Sequence, residues 1–454
     1  MSVHPIEFRY FTPEMKNLFT EENKLATWLK VEAALAQAHA LLGTFPKDIA
    51  DEISKKAKLN YVKLSRVKEI EEEIHHDLMA MVKALSEQCE GEAPKYVHLG
   101  ATSYDIEDTA SALILTDALK IIQNKLLKLL KVLIELTKKT KNLICIGRTH
   151  GQHALPTTYG MKFGVWAYEI DRHLDRINEI IPRVKIGKIS GAVGTMASFK
   201  DKGIELQNKV MELLGLKPCI ISNQVIQRDI HAEVILFTCL VAGTLDKIAK
   251  QIRILQRTEI GEVFEPFSKS QVGSSTMPHK RNPHQSERIC SLSRVIKSNF
   301  YIALENISLE DERDLTNSAS ERILFPENFI LLDYILTQTI SILSNLEFNY
   351  ENIEKNLNLT QGAILTEKVM LELVNKSIGR QEAHEILRKA AIESNKKKIF
   401  IKELLKNDEK IGALFSEKEL NEIFDPHKYI GKSHEIIEKL IIYINQKYNF
   451  NDNN

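Results

Sequence analysis

The sequence predicts an all-α protein of three helical domains, with a bundle of long helices at its centre. Three observations predict it. Between Gly100 and Gly147 there is neither glycine nor proline, so nothing breaks a helix. Within that stretch Leu113, Leu119, Ile122, Leu126, Leu130, Leu133 and Leu136 recur near helical spacing. Alternating, strand-like patterns are few. Helices with more apolar residues than one stripe needs pack in bundles, often across subunits.

The elements follow in order. A helix over Asp108–Lys141 would be about 50 Å long at 1.5 Å per residue. Similar patterns predict helices over Asp229–Glu262, His284–Asn306 and Glu327–Asn345. A chain of 454 residues exceeds one ordinary core. It divides into an N-terminal helical part (1–103), a long-helix middle (104–348) and a smaller helical C-terminal part (349–454). Lys185–Ser198, reading KIGKISGAVGTMAS, is glycine-rich and non-helical. It lacks the ending and flanking strand of a phosphate loop. The closing NDNN is expected to be a disordered tail.

Composition excludes several classes. Apolar residues make up 43% and charged residues 27%, ordinary for a globular protein. Formal net charge is zero, from 61 basic and 61 acidic side chains. That argues against nucleic-acid and anionic-membrane partners. No stretch reaches the roughly 18 apolar residues of a membrane span. The opening MSVHPIEFRYF lacks the apolar core of a signal peptide. Cys89, Cys145, Cys219, Cys239 and Cys290 are scattered without CxxC spacing. They are expected to be reduced thiols of a cytoplasmic protein and argue against a zinc site.

Residues 271–283, QVGSSTMPHKRNP, are the most informative segment. Gly273 and Pro283 bracket three hydroxyls (Ser274, Ser275, Thr276) and the cationic pair Lys280 and Arg281. Glycine and proline at the ends argue a loop, and loops carry function. Hydroxyls, backbone N–H groups and a lysine suit an anion. A solvated turn leading into a helix remains the plain alternative.

Other polar clusters sit at the expected breaks between helices. GRTHGQH carries Arg148, Thr149, His150 and His153. EIHHD carries His75, His76 and Asp77. KYVHLGATSYD carries His98, Thr102, Ser103 and Asp105. ERDLTNSASER carries Arg313, Ser318 and Arg322. The spacing of His150 and His153 invites a metal hypothesis. The adjacent glycines and proline argue against a regular helical ligand face, and no acidic partner completes the set.

Together these segments resemble the fumarase/aspartase superfamily, whose mobile loop has the pattern GSS-x-MP-x-K-x-N. The finer resemblance is to the adenylosuccinate lyases. RYFTPEM, GRTHGQHALPTTYG, KISGAVGT, NQVIQRDIHAE, MPHKRNP and DERDLTNSASER match that family's segments in order. The resemblance covers nearly the whole chain and is weakest after about residue 350. It implies a homotetramer with active sites assembled from three subunits, and no cofactor or metal. The implied reaction is a reversible β-elimination releasing fumarate, from adenylosuccinate to give AMP and from SAICAR to give AICAR.

Such an elimination needs a base at carbon, stabilisation of a dianionic intermediate, and an acid for the departing nitrogen. By resemblance Ser274 is the base and His150 the acid. A free hydroxyl is far too weak an acid to be alkoxide at neutral pH. Backbone N–H groups and a cation such as Lys280 must stabilise it. Histidine suits the acid role. Glu287 matches the family glutamate that pairs with it and would favour its protonated form. The succinyl carboxylates would meet Thr102, Ser103, Thr149, Ser275, Lys280 and Asn282, with Gln224 nearby. The nucleotide and its phosphate would meet Arg9, Tyr10, His76, Arg313, Ser318 and Arg322, since arginine forks suit phosphate. His98 matches a family histidine near the substrate. Asp77, on the substrate side beside His76, and Asp105 also suit orienting neighbours or capping helices.

Some positions depart from the commoner pattern. His75 stands where Arg or Lys is usual, Arg288 where Asn is usual, and Ala319 replaces a serine. None is an acid, base or lysine position. Two further enzyme readings stay open: another fumarate-releasing lyase, such as an argininosuccinate lyase, and a serine hydrolase using Ser274 or Ser275 with His150 and Glu287. The hydrolase lacks a G-x-S-x-G elbow and alternating strands and helices. A non-catalytic helical oligomer is the third.

Overall fold

A computed structural model describes residues 3–267, 277 and 279–450. The expected segment Ser274–Thr276 and the NDNN tail lie outside the described residues. The architecture is helical. Among the described residues, strands form three two-stranded sheets.

The long helices exist, with shifted ends. The first spans Ser103–Lys139, starting a turn earlier than expected. Asp105, in its first turn, reaches back to accept the Thr102 N–H at 2.9 Å, which satisfies one of the donors a helix start leaves open. The second spans Asp229–Leu255 and stops short of Glu262. Gly261 (φ 56°) turns the chain there, and the Glu262 N–H bonds back to Leu255 O at 3.0 Å. The expected helix over His284–Asn306 is two, His284–Ser298 and Phe300–Glu305. The break falls at Asn299, whose buried amide donates to Glu327 and Asn328. The last spans Ser318–Ser344 and runs through Pro326, where a helix boundary was expected. Proline has no N–H, so the Arg322 carbonyl lacks its normal helical donor.

The chain packs as two compact units. Unit 1 comprises Met1–Leu127, His173–Leu245 and Ser291–Thr337. Its core includes Leu29, Leu35, Ile53, Leu78, Leu85 and Ile106. Two buried ion pairs brace the first long helix within it. Lys188 bonds to Asp105, and neither side chain has any exposure. The same carboxylate accepts N–H groups from Ser190 (2.8 Å) and Gly191 (3.1 Å). The glycine-rich segment is thereby tied to the helix start. A Cβ at Gly194 (φ 84°) would lie 2.0 Å from Ser222 O, so glycine is required there. One turn on, Asp108 takes both Nη atoms of Arg228 at 2.9 and 3.0 Å. Arg228 Nε donates to Glu321 at 3.0 Å, and His231 lies 3.4 Å from the same oxygen.

Unit 2 comprises Lys128–Arg172, Asp246–Cys290 and Gln338–Asn454. Its core joins Ile146 to Leu357, Val369, Leu373, Leu387 and Ile401. Here GRTHGQH falls between the helices Ser103–Lys139 and Tyr159–Val184, as expected, but the break is itself ordered structure. It is the tip of an antiparallel hairpin, Ile144–Thr149 paired with Gln152–Thr158. The β-branched and aromatic-poor strands were masked in the sequence by Gly147, which sits at a shift of register between Ile146 and Arg148.

Asp108→Ala should leave Arg228 buried with only one carboxylate. We expect unfolding free energy to fall by about 3–5 kcal/mol, read as a lower urea midpoint. Asp108→Asn, which keeps the shape and one acceptor, should cost less.

Candidate active site

Unit 1 gathers most of the residues expected at the nucleotide side. The Arg313 guanidinium lies 3.3 Å from the Tyr104 ring centre, and its Nη1 approaches Gln224 Oε1 at 3.5 Å. Tyr104 OH donates to Ser318 Oγ at 3.3 Å. One helical turn from Ser318, Arg322 donates to Asp77 Oδ2 at 2.8 Å. Burial raises the Asp77 carboxyl, but Arg322 and the Leu78 N–H outweigh it, and it lies below its ordinary value. His76 caps the helix Asp77–Gln88, its Nδ1 accepting from Met79 N at 3.4 Å. That assigns the ring hydrogen to Nε2, which can donate to Ser103 Oγ at 3.4 Å. Ser318 and Arg322 line a cavity of about 340 Å³ with Tyr104, Glu107, Trp28 and Phe325.

His98 sits beside this group in sequence and has φ 62°. Its Nδ1 lies 2.6 Å from Glu32 Oε1, a fully buried carboxylate. Burial disfavours the charged ring, and the Glu32 carboxylate more than offsets this, so His98 is raised above its ordinary value. Arg9 and Tyr10 are placed elsewhere. Arg9 is exposed, and Tyr10 packs on Tyr334 with ring centres 5.7 Å apart. Tyr334 is twelve residues beyond Arg322 on one helix, about 18 Å at helical rise.

Unit 2 holds the expected acid and the ends of the serine loop. His150 and Gly151 form the two-residue hairpin turn, with φ 53° and 76°. Two positive φ angles match the I′ turn that hairpins favour. For histidine this is an uncommon backbone state and presents Thr149 and His150 to solvent. Beneath them, Glu262 is wholly buried. It accepts from Arg148, from Tyr159 OH at 2.6 Å and from Asn356 Nδ2 at 2.8 Å. The side chain two residues from His150 is thus anchored in the core.

The described ends of the Ser274 segment are held together. The Glu265 carboxylate accepts from Gln285 N, Ser286 N and Ser286 Oγ at 3.0–3.1 Å, capping the helix that carries Glu287. Gln256 bonds to Glu265 N at 3.0 Å and to Arg281 O at 3.1 Å. Lys280, Asn282 and Glu287 line a hollow of about 850 Å³ with Arg253, Arg257 and His279. Glu287 and Lys280 are exposed. Among the described residues no ion pair joins Glu287 to His150. Ser274 and Ser275 lie outside the described residues. Sequence reasoning missed Glu32, Tyr104, Glu107, Glu262 and Glu265. Glu32 lies 66 residues from His98 and Glu262 lies 114 from Arg148, so no local pattern announces either.

Comparison with known proteins decides the family. Residues 7–297 match the lyase family model, and residues 362–440 match the model described as adenylosuccinate lyase C-terminus. The chain is 51% identical to the adenylosuccinate lyase of Methanocaldococcus jannaschii, covering 99% of this chain and 97% of that protein. It is 54% identical to that of Pyrococcus abyssi, covering 98% and 99%. The chain belongs to the adenylosuccinate lyase family. Solved structures share the fold. A fumarate lyase from Mesorhizobium sp. BNC1 matches with TM-score 0.88 and 32% identity, over 95% of this chain and 98% of that one. A 3-carboxy-cis,cis-muconate lactonizing enzyme from Pseudomonas putida matches with TM-score 0.90 and 29% identity, over 97% and 99%. The fold therefore serves differently named enzymes, and it is the sequence that assigns the chain to the adenylosuccinate lyases.

The Glu32 contact gives a pH prediction. The raised His98 contributes stability that is fully present below the unfolded-state value and is lost as pH rises through the folded one. In Glu32→Gln the ring should titrate at lower pH than in the wild type. NMR titration of the His98 ring proton checks this; equal midpoints would remove the carboxylate as the cause.

Proposed function

We propose that this chain catalyses the reversible β-elimination of fumarate from adenylosuccinate, leaving AMP, and from SAICAR, leaving AICAR. Ser274 takes the proton from carbon, and His150 protonates the departing nitrogen. The family assignment carries the reaction. The clustering of Gln224, Arg313, Ser318, Arg322, Asp77, His76 and Ser103 in unit 1 supports a recognition surface. Two guanidinium groups there suit a phosphate. Thr149 and His150 on one side, Lys280, Asn282 and Glu287 on the other, supply the acid, the cation and the orienting carboxylate.

The chemistry needs water excluded, because charge stabilisation weakens in high dielectric. In one chain Thr149, His150, Lys280 and Glu287 all face solvent. A site completed by other copies would cover them. Exposed apolar side chains support such assembly: Leu240, Tyr301, Leu304 and Ile307 are 40–61% exposed, and Leu240, Leu304 and Ile307 line one surface hollow that a partner would cover. A homotetramer with shared active sites, working in the cytoplasm, is the proposed state. No helix is long and apolar enough to cross a membrane among the described residues.

The direct test is purified protein with adenylosuccinate, following fumarate and AMP together. Both should appear in equal amounts; absence of either would end this reading. Ser274→Ala and His150→Ala should each lower kcat by about a hundredfold or more while AMP affinity is largely kept. Equal losses of turnover and binding would count against their chemical roles. Arg322→Ala should weaken AMP binding, and an unchanged dissociation constant would take Arg322 out of the site.

A further inference from the structure

Glu107 is a carboxyl group of the unit 1 cavity beside Arg322 that the assigned roles leave unused. It lies on the long helix Ser103–Lys139, and its side chain is 13% exposed. Its Oε2 is 4.0 Å from Arg322 Nη2, the nitrogen already bonded to Asp77 at 2.8 Å. Two carboxyl groups thus address one guanidinium. Both Glu107 and Arg322 line the cavity of about 340 Å³, as does Ser318.

The charges around Glu107 come from several elements. Asp77 faces it from the helix Asp77–Gln88, and Arg322 from the helix Ser318–Ser344. Arg313 acts from the segment before Ser318, and Asp108 from Glu107's own helix. Tyr104, also on that helix, is raised by burial and by Glu107. Glu21, Lys24 and Lys68 also line the cavity, as do Arg228 and Glu321, and Lys24 acts on Asp77. Arg228 is already matched by Asp108 and Glu321. Of the groups acting on Glu107, Asp108 is taken up by Arg228, so a protonated Glu107 leaves Arg322 and Arg313 against Asp77. An ionised Glu107 cancels that surplus. A phosphate dianion needs the surplus, since each further negative charge on the wall repels it.

We propose that Glu107 is a positioning residue for Arg322, and that the cluster takes an anionic phosphate only while Glu107 is protonated. The proposal rests on the reading that Arg322 meets the nucleotide phosphate. Burial, then the nearby Asp77, push the Glu107 carboxyl up to about 8, against the pull of Arg322. It is therefore protonated at neutral pH and ionises just above it. Arrival of a dianion makes ionisation harder still, so binding retains or takes up a proton.

The probe is AMP, whose phosphate is fully dianionic above about pH 7. In the wild type, AMP affinity should be flat near neutrality and fall above pH 8, approaching about tenfold per pH unit at the linkage limit. Glu107→Gln, nearly the same shape, should remove that fall between pH 7 and 9. A second measurement needs no variant. Calorimetry at pH 8.5 in buffers of different ionisation enthalpy should show proton uptake by the wild type on AMP binding. No uptake, or an identical pH profile in Glu107→Gln, overturns the role of Glu107. Failure of AMP to bind at any pH, or an Arg322→Ala variant with unchanged affinity, overturns instead the nucleotide reading beneath it.

Discussion

A guanidinium sealed inside a helical protein fixes much of unit 1. Arg228 is about 1% exposed, and Asp108 and Glu321 meet its charge from two different helices. An isolated buried charge costs far more than any single packing contact returns, so all three groups must arrive together. That requirement sets where the helix Ser318–Ser344 stands against the helix Ser103–Lys139. Burial raises the Glu321 carboxyl, but His231 and Arg228 reverse this and hold it well below its ordinary value. The carboxylate is therefore charged wherever the protein is folded near neutrality. Ser318 and Arg322 flank Glu321 in sequence, and Tyr104 and Glu107 precede Asp108. The geometry of the cavity wall follows from the ion pair that helps line it.

The same device recurs in unit 2 with a different purpose. Glu262 gathers Arg148, Tyr159 and Asn356 around one buried carboxylate. The hairpin above it holds His150 in a left-handed conformation that histidine adopts only where its surroundings dictate it. Glu265 does likewise for the described ends of the serine segment. Buried carboxylates fix backbone, and the exposed side chains on that backbone are left for chemistry. This division lets reactive groups face solvent in one chain without losing their positions.

The helical class was legible because its signal is local: an unbroken apolar period between Gly100 and Gly147 needs no knowledge of partners. Helix ends were less so. Pro326 reads as a boundary, yet packing carries the helix through it. The hairpin of GRTHGQH was hidden, since seven residues around two glycines give no alternation long enough to see. The site's polar residues stood out as clusters at such breaks. Their partners did not, because Glu32 and Glu262 look like ordinary surface glutamates until tertiary contacts bury them, and so does Glu321 until Arg228 and His231 reach it.

Those hidden glutamates also explain how one chain can keep acids in opposite states at one pH. Glu321 and Glu107 are both largely buried, on neighbouring helices lining one cavity. Glu321 has a histidine and an arginine in hydrogen-bond reach. Among the described residues Glu107's one ion-pair partner is an arginine at 4.0 Å that Asp77 already holds. Burial disfavours the charge of each, and direct cationic partners decide the outcome. The first is locked as an anion that supports the fold. The second is left near its balance point, where a change of one charge in the cavity can move it. A group so poised serves stability poorly and recognition well, since its state answers to whatever anion sits beside Arg322.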